Sequence, residues 1–211
     1  MIRILVADDH LVVREGVKQI LSGLDDMVVE DEAENGKETI EKVVRGNCDI
    51  VLLDISMPGR SGLEILEEIL SLKPKLPVLI LSMHPEEQYA VRALRAGASG
   101  YLTKASAAHE LIGAIRKVSR GGKYVTASLA EKLAMEIDTK ADKQRHEKLS
   151  NREYQVMLML ASGKTVGEIA VELCLSVKTV STYRTRIMEK MAMKKNAELT
   201  FYAMSNHLLG S

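Results

Sequence analysis

The sequence predicts an α/β domain with a doubly wound parallel sheet, followed by a smaller all-α domain. Short apolar runs alternate with amphipathic segments over the first 120 residues, which is typical of a parallel sheet covered by helices on both faces. This alternation weakens after about Gly121, and only helical signals return near residue 149. With 211 residues, 46% of them hydrophobic, the chain is long enough to build two small cores.

Five apolar or β-branched runs are candidate strands. The first, third and fourth runs are almost continuously apolar, as expected of central strands that are covered on both sides. The five runs are residues 2–7, 27–33, 49–54, 77–81 and 100–103.

Between and after these runs, apolar residues recur at helical spacing, which predicts one helix after each strand. The five helical segments lie within residues 11–24, 39–44, 63–70, 90–96 and 111–118.

The next part of the chain predicts a connection between two domains. Residues 127–137 are compatible with a short helix. Residues 138–148 are polar and charged without apolar periodicity, so we expect a linker there.

Three polar residues that favour helix N-termini punctuate the last part of the chain. Ser150 with Glu153, and Thr165 with Glu168, form capping-box patterns, and Ser176 is a third candidate cap. Because no strand pattern occurs here, we expect a small four-helix domain. Its helical segments are 149–163, 165–173, 177–191 and 196 to about 208.

The charge is unevenly distributed although the whole chain is formally neutral. Residues 148–211 carry nine Lys or Arg and five Asp or Glu, and residues 1–147 carry 20 and 24. The excess of four positive charges at the C-terminal end suggests an anionic partner there. The two cysteines, Cys48 and Cys174, form no metal-binding or disulfide pattern. No signal peptide or membrane-spanning run is found, so we expect a cytoplasmic protein without a membrane partner.

Polar residues gather where the predicted strands end, at Asp8, Asp9, Asp54, Ser82 and Lys104. The carboxyl ends of parallel strands share one edge of the sheet, which is where ligands bind in such folds. Two carboxylates about 5 Å apart repel each other by about 3 kcal/mol at an effective dielectric constant near 20. Lys104 and a divalent cation would offset this repulsion, and Mg²⁺ with carboxylates suits phosphoryl transfer.

Several motifs together resemble a known family. "ADDH", "DIVLLDISMPGRSG", "LILS" and "GASGYLTKA" resemble the receiver domain of two-component response regulators. The segment from "LSNREY" to "RIMEKM" resembles the LuxR-type helix-turn-helix, and the pairing is that of the NarL/FixJ family. The resemblance implies a flavodoxin-like (βα)5 receiver at 1–122, a linker at 123–147 and a DNA-binding domain at 148–211.

The resemblance also implies roles in the acidic site. Asp54 would accept a phosphoryl group from a sensor histidine kinase. Asp9, Asp54, the backbone carbonyl of Ser56 and Asp8 would bind Mg²⁺, Asp8 directly or through water. The glycines of "MPGRSG" would let the backbone fold close to Asp54. His10 is interpreted as a solvated loop residue.

Three further residues would complete the phosphorylation site. Lys104 would pair with a phosphoryl oxygen, and Ser82 would move to hydrogen-bond another. Tyr101 would be the aromatic switch that follows Ser82 into the space it vacates. Many receivers have proline after this lysine, whereas this sequence has Ala105, so the geometry of the peptide bond is left open.

Residues 177–191 are the candidate DNA-reading helix. Val180, Arg184, Ile187 and Met191 would share its buried face. The opposite face is short, polar and basic, as is typical of a helix that enters the major groove.

We expect two classes of DNA contact from that exposed face. Lys178 and Thr182 are the best candidates for base edges, with Thr179 beside them. Three residues are expected to contact phosphates, namely Tyr183, Arg186 and Lys190. One domain offers few contacts, so a homodimer on half-sites about 10 bp apart is expected on promoter DNA, with the last helix offering apolar surface.

Two other functions share some of these features. A Mg²⁺-dependent phosphatase with an aspartate nucleophile would use a similar pocket, but such enzymes have DxD, and Ser56 stands at the second Asp position here. A DNA binder that does not depend on phosphorylation would not need the acidic set. We therefore expect a regulator that catalyses only its own Mg²⁺-dependent phosphorylation and slow dephosphorylation.

Overall fold

The computed structural model describes residues 1–138 and 145–209. The chain divides into two compact units, Met1–Ala130 and Glu131–Ser211. Among the described helices, none combines the length and the apolar composition that crossing a membrane requires.

The first unit is a five-stranded sheet whose strands alternate with helices. All neighbouring strands are parallel, in the order β2-β1-β3-β4-β5. The predicted doubly wound fold and its central strands β1, β3 and β4 are confirmed. The elements are β1 (Ile2–Ala7), α1 (Leu11–Leu21), β2 (Met27–Ala33), α2 (Gly36–Arg45), β3 (Ile50–Leu53), α3 (Gly62–Leu72), β4 (Val78–Ser82), α4 (Glu86–Arg95), β5 (Gly100–Thr103) and α5 (Ala108–Ser119).

The core of this unit covers both faces of the sheet. On one face, Val17 of α1 and Ile115 of α5 pack with alternate strand residues such as Ile4 and Leu52. Strand residues of the other parity, for example Leu53, are equally buried. Burial on both faces explains why β3 and β4 are apolar along their whole length.

The strand order determines where the polar loops meet. β1 and β3 are neighbours, but the connection after β1 leads to β2 on one side of the pair and the connection after β3 leads to β4 on the other. Asp8 donates its backbone N–H to Ala33 O at 3.0 Å, and Asp54 donates to Ala7 O at 2.9 Å. The two aspartates that end β1 and β3 are therefore held next to each other at the topological switch point.

A sixth helix, α6 (Ala127–Asp138), occupies the segment predicted as a short helix. Of the predicted linker at 138–148, residues 139–144 lie outside the described residues. Its last four residues, Arg145–Lys148, form a single 3-10 turn.

After Lys148, the described part of the second unit forms four α-helices, as predicted: α7 (Asn151–Ala161), α8 (Val166–Glu172), α9 (Val177–Met191) and α10 (Asn196–Ser205). The three predicted caps, at Ser150, Thr165 and Ser176, each accept a backbone N–H from the first turn that follows. Such a cap contributes about 0.5–2 kcal/mol. α10 ends before the predicted Leu208, and His207 beyond its end has a left-handed φ of 53°.

Candidate functional site

The acidic site lies at the carboxyl edge of the sheet. Asp8, Asp9 and Asp54 each offer a carboxylate oxygen, and His10 offers a ring nitrogen. These ligand atoms lie within 4.8 Å of one another. The strand order thus brings together the three carboxylates that the sequence predicted would converge.

Lys104 links the two buried members of this cluster. Its Nζ lies 2.6 Å from Asp8 Oδ2 and 3.0 Å from Asp54 Oδ2. The side chains of all three residues are at most 5% exposed. An ammonium group buried at this depth is stable only with close carboxylate partners, and here it has two. The peptide bond between Lys104 and Ala105 is trans, as are all described peptide bonds.

The pKa values of Asp54 and Lys104 are shifted because several carboxylates are buried close together. Burial raises the pKa of Asp54 above its ordinary value, and the opposing attraction of Lys104 does not cancel this because Asp8 raises it further. Burial alone would lower the pKa of Lys104, but Asp54 and Asp8 together raise it above its ordinary value. Three carboxylates facing one ammonium group leave an excess of two negative charges when all are ionised.

Two carboxylate oxygens in the cluster test whether a cation fits. Asp9 Oδ1 and Asp54 Oδ1 are buried and make no hydrogen bond among the described residues, and the near neighbour of Asp9 Oδ1 is His10 Nδ1 at 3.0 Å. Unpartnered buried carboxylate oxygens are costly unless a cation satisfies them. A hard divalent ion such as Mg²⁺ takes carboxylate ligands of this kind and would supply the missing charge. The residues present fit a Mg²⁺ site.

The loop after Asp54 closes tightly over it. Gly62 donates its N–H to Ile55 O at 2.9 Å, and a Cβ at Gly62 would lie 2.3 Å from Asp54 O. Only glycine allows this approach. The predicted role of the "MPGRSG" glycines is therefore confirmed at Gly62. Ser56 is partly buried in this loop, and its hydroxyl lies 3.0 Å from His84 Nε2.

Ser82 and Tyr101 are joined through the loop that follows β4. Ser82 Oγ accepts the backbone N–H of His84 at 3.1 Å, and the Tyr101 hydroxyl donates to His84 O at 2.8 Å. Tyr101 is fully buried, which raises its pKa above the ordinary tyrosine value although a hydrogen bond with Ser82 opposes this. In this structure the aromatic side chain already occupies an interior position.

The structure adds three residues to the site that sequence reasoning did not place there. His10 Nδ1 lies 3.2 Å from Asp8 Oδ1 and 3.0 Å from Asp9 Oδ1, so it belongs to the cluster although its side chain is 60% exposed. In the sequence, the position of His10 directly after the two aspartates of "ADDH" is the feature that indicates this proximity. His84 connects Ser56, Ser82 and Tyr101, and the sequence around it carries no signal for this. Arg14 Nη1 donates to the backbone carbonyl of Asp8 at 2.8 Å, and in the sequence this arginine is marked only by a helical spacing typical of buried positions.

The second unit presents a helix with an exposed polar face. α8 is followed by a short turn and by α9, whose buried residues include Val180, Ile187 and Met191, as predicted. Arg184 is partly buried and donates from Nε to Asn196 Oδ1 at 2.9 Å. The aliphatic part of the Arg184 side chain is therefore partly buried, while its guanidinium is bonded to Asn196 of α10.

Five of the six predicted DNA-contact residues line one shallow depression on α9: Lys178, Thr179, Thr182, Tyr183 and Arg186. The Thr182 hydroxyl donates to Lys178 O at 3.0 Å, and Thr179 Oγ1 lies 2.7 Å from Ser176 Oγ. The surface is compact, polar and basic.

The sixth residue, Lys190, has a partner within the unit. Its Nζ lies 2.6 Å from Glu153 Oε2, and the Glu153 side chain is only 4% exposed. Burial would raise the pKa of Glu153, but Lys190 and the backbone of Ser150 together lower it below its ordinary value. Lys190 thus neutralises a buried carboxylate of α7.

Comparison with protein families gives two matches in the order that the folds suggest. Residues 4–116 match the family described as "Response regulator receiver domain". Residues 147–203 match "Bacterial regulatory proteins, luxR family". All of the acidic site lies in the first match, and α9 lies in the second.

Comparison with individual proteins extends over nearly the whole chain. The chain is 37% identical over 210 residues to the response regulator GacA of Pseudomonas viridiflava, which covers 99% of this chain and 98% of that protein. It is 36% identical over 209 residues to the response regulator UvrY of Escherichia coli strain K12, which covers 99% and 96%. The structure of RcsB from Salmonella enterica serovar Typhimurium, bound to the promoter rprA with the phosphomimetic BeF3-, is 25% identical with a TM-score of 0.66, covering 97% and 100%. This chain belongs to the two-component response regulators of the NarL/FixJ type, in which a receiver domain is joined to a LuxR-type DNA-binding domain.

Proposed function

We propose that Asp54 accepts a phosphoryl group from the phosphohistidine of a sensor histidine kinase, and that this event controls promoter binding by α9. The observation that carries the proposal is the cluster of Asp8, Asp9 and Asp54, in which Lys104 joins Asp8 to Asp54 and the buried Asp54 Oδ1 makes no hydrogen bond among the described residues. A carboxylate of Asp54 attacks phosphorus, the P–N bond breaks, and its electron pair stays with the departing imidazole. The product is an acyl phosphate on Asp54.

Asp8, Asp9, Asp54 and the backbone carbonyl of Ser56 are the residues that would hold Mg²⁺. When bound, the ion would neutralise charge that develops on the phosphoryl oxygens. The strand order keeps the carboxylate of Asp54 close to that of Asp8. The two carboxylates therefore already repel each other in the folded protein before the ion binds. We propose that this repulsion drives uptake of the ion.

Lys104 and Ser82 are the protein groups that would hold the phosphoryl group. A phosphoryl group on Asp54 adds about −1.5 to −2 charge and three acceptor oxygens. The Lys104 ammonium, now shared by Asp8 and Asp54, would pair with one oxygen, and the Ser82 hydroxyl would donate to another. Each charge-assisted bond of this kind contributes about 1.5–3 kcal/mol.

Tyr101 would transmit the change to the surface around α4 and β5. Its interior position, tied to His84 O and Ser82, is the arrangement that we assign to the phosphorylated form. Moving a population from 1:99 to 99:1 requires a preference of about 5.5 kcal/mol. The two charge-assisted bonds from Lys104 and Ser82 together provide about 3–6 kcal/mol, which reaches this requirement near the upper end of the range.

We propose that residues 1–122 act as the receiver, 123–147 as the linker and 148–211 as the DNA-binding domain. Lys178 and Thr182 would contact base edges, with Thr179 beside them, and Tyr183 and Arg186 would contact phosphates. The exposed, basic character of the depression that these residues line supports this assignment. Since the proposed target is promoter DNA, we propose that the protein is cytoplasmic.

We further propose that the protein binds DNA as a homodimer, with half-sites about one helical turn apart. Exposed apolar side chains on α10, Phe201 and Met204, support this because they offer surface for a second copy. Besides its own phosphorylation and slow dephosphorylation, we propose no catalysis. Sustained turnover of a small phosphoester would favour a phosphatase instead.

Selection of binding sites from random duplexes, with and without Mg²⁺ and beryllium fluoride, tests the proposal. The selected duplex is then titrated with the full-length wild type and with Asp54→Ala. We expect the phosphomimetic to tighten binding by the wild type at least tenfold and to leave Asp54→Ala unchanged. If Asp54→Ala binds as tightly as the treated wild type, phosphorylation of Asp54 is not the switch.

A further inference from the structure

We propose that Arg14 is a positioning residue that fixes the Asp8–Asp9 segment for cation binding. This inference rests on the proposed function, since it concerns the same Mg²⁺ site. Arg14 is a member of α1 and does not belong to the carboxylate cluster itself. It acts on the cluster through the main chain of Asp8.

The guanidinium of Arg14 is buried beneath the loop that carries the two aspartates. Its side chain is only 5% exposed. Nη1 donates to the backbone carbonyl of Asp8 at 2.8 Å, Nε donates to Glu32 Oε2 at 3.1 Å, and Nη2 donates to Glu34 Oε1 at 2.5 Å. One planar group therefore joins the chain leaving β1 to the end of β2.

The bond to Asp8 O restricts both aspartates because a peptide unit is planar. The carbonyl of Asp8 and the N–Cα bond of Asp9 belong to the same rigid plane. The other side of Asp8 is fixed by its N–H bond to Ala33 O at 3.0 Å, and its Oδ1 accepts the N–H of His10 at 2.9 Å. With the carbonyl oxygen also bonded, the N–H, the side chain and the C=O of Asp8 are all held. The direction in which the chain continues to Asp9 is thereby determined.

The charge of Arg14 is compensated locally, which separates its geometric role from an electrostatic one. Glu32 and Glu34 supply two carboxylates to the one guanidinium. Because these two carboxylates neutralise the Arg14 guanidinium, it does not repel a divalent ion bound nearby. Arg14→Lys keeps the charge, but a compact ammonium on a flexible stem cannot make the three divergent contacts of the guanidinium fork.

Lys18 provides a matched control on the same helix. It lies one turn after Arg14, and its Nζ is 2.8 Å from Glu32 Oε1 and 2.5 Å from Glu15 Oε1. It shares the partner Glu32 with Arg14 but makes no contact with Asp8. A change at Lys18 therefore removes an ion pair at the same place without releasing the Asp8 carbonyl.

The test is titration of metal-free full-length protein with Mg²⁺ by calorimetry. Amide hydrogen exchange of Asp8 and His10, whose N–H groups are bonded to Ala33 O and Asp8 Oδ1, is measured without Mg²⁺ and gives a readout that does not depend on the ion. Outer partners of metal ligands typically change affinity 10–100-fold, so we expect Arg14→Lys to weaken Mg²⁺ binding about tenfold and to speed both exchange rates. Lys18→Met is expected to stay within about twofold of the wild type in both measurements.

A second variant covers the possibility that Arg14→Lys does not fold. Glu34 is mostly exposed, so Glu34→Gln tests the same clamp with little risk to the core, and we expect a weakening of about twofold to tenfold. Affinity within twofold of the wild type in folded Arg14→Lys, or in Glu34→Gln if the former does not fold, overturns the inference. Equal weakening by Lys18→Met also overturns it. A wild type that takes up no Mg²⁺ would instead overturn the proposed function, and the inference with it.

Discussion

The Tyr101 hydroxyl donates a 2.8 Å hydrogen bond to the main-chain carbonyl of His84. The backbone N–H of the same histidine is bonded to Ser82 Oγ at 3.1 Å, so one residue connects the buried aromatic ring with the hydroxyl at the end of β4. The His84 ring also lies against Tyr89 of α4, with ring centroids 4.9 Å apart. A displacement of Ser82 therefore has a physical route to the α4 surface.

Tyr101→Phe removes the hydroxyl and leaves the ring in place. We expect a loss of about 0.5–1.5 kcal/mol in the free energy of unfolding, because the partly buried hydrogen bond from Tyr101 to His84 O is lost. Urea unfolding of the full-length protein measures this loss. Tyr124→Phe, at a half-buried tyrosine, is the control and should change the free energy by less than about 0.5 kcal/mol. Equal effects of the two variants would contradict the role given to the Tyr101 bond.

The raised pKa of Tyr101 predicts an alkaline dependence of stability. A group whose pKa is higher in the folded state contributes stability that is present below its ordinary pKa, near 10, and is lost as the pH rises above it. Tyrosinate absorbance should therefore show a phase that titrates above the exposed tyrosines. Tyr101→Phe should remove amplitude from that late phase alone. Loss of amplitude near pH 10 instead would show that Tyr101 is not buried in solution.

Asp54→Asn and Lys104→Met should change the stability of the metal-free protein in opposite directions. Neutralising Asp54 relieves a buried carboxylate whose pKa is raised by burial, so we expect a gain in the free energy of unfolding. Removing the Lys104 ammonium leaves Asp8 and Asp54 facing each other without a cation, so we expect a loss of about 3–5 kcal/mol. Native-state hydrogen exchange of the β3 amides in chelator measures both. A loss of stability in Asp54→Asn would contradict this electrostatic account.

Lys190→Met separates two roles for one lysine. Pairing with buried Glu153 predicts a loss of about 1–3 kcal/mol in the stability of the second unit. A phosphate contact predicts unchanged stability and a salt dependence of DNA binding whose slope is reduced by about 1. Because the structure shows the Lys190–Glu153 pair, we expect Lys190→Met to lower the stability of the second unit. Measuring unfolding and the salt slope on the same variant decides between the two.

Lys178→Ala and Arg186→Ala should weaken DNA binding in different ways. A base contact at Lys178 predicts a cost of about 1–3 kcal/mol that depends on the base at one position of the site. A phosphate contact at Arg186 predicts weakening that is nearly uniform across sequences, with a smaller salt slope. Titrations of the selected duplex and of single-base variants at several salt concentrations measure both. Uniform weakening by Lys178→Ala would remove it from base recognition.

Much of the fold could be predicted from local signals in the sequence. The strands lie within one residue of their predicted bounds because central strands that are buried on both faces must be continuously apolar. The caps at Ser150, Thr165 and Ser176 have short-range partners, so they are visible in the sequence. The convergence of Asp8, Asp9 and Asp54 followed from the rule that the carboxyl ends of parallel strands share one edge.

The remaining contacts depend on tertiary geometry that no local pattern encodes. The bond of Lys190 to Glu153 joins α9 to α7 across 37 residues, and periodicity placed Lys190 only on an exposed face. The contacts of His84 with Ser82 and Tyr101 run through its backbone, which any residue type could provide. The interior position of Tyr101 is one of several that a tyrosine on β5 could adopt.

The most direct test of the central claim is intact-protein mass spectrometry after incubation with acetyl phosphate and Mg²⁺. We expect the wild type to gain one phosphoryl group, peptide mapping to locate it on Asp54, and the gain to disappear in Asp54→Asn and in the presence of a chelator. No gain by the wild type, or a phosphoryl group carried by another residue, would contradict the assignment of Asp54 as the Mg²⁺-dependent phosphoacceptor.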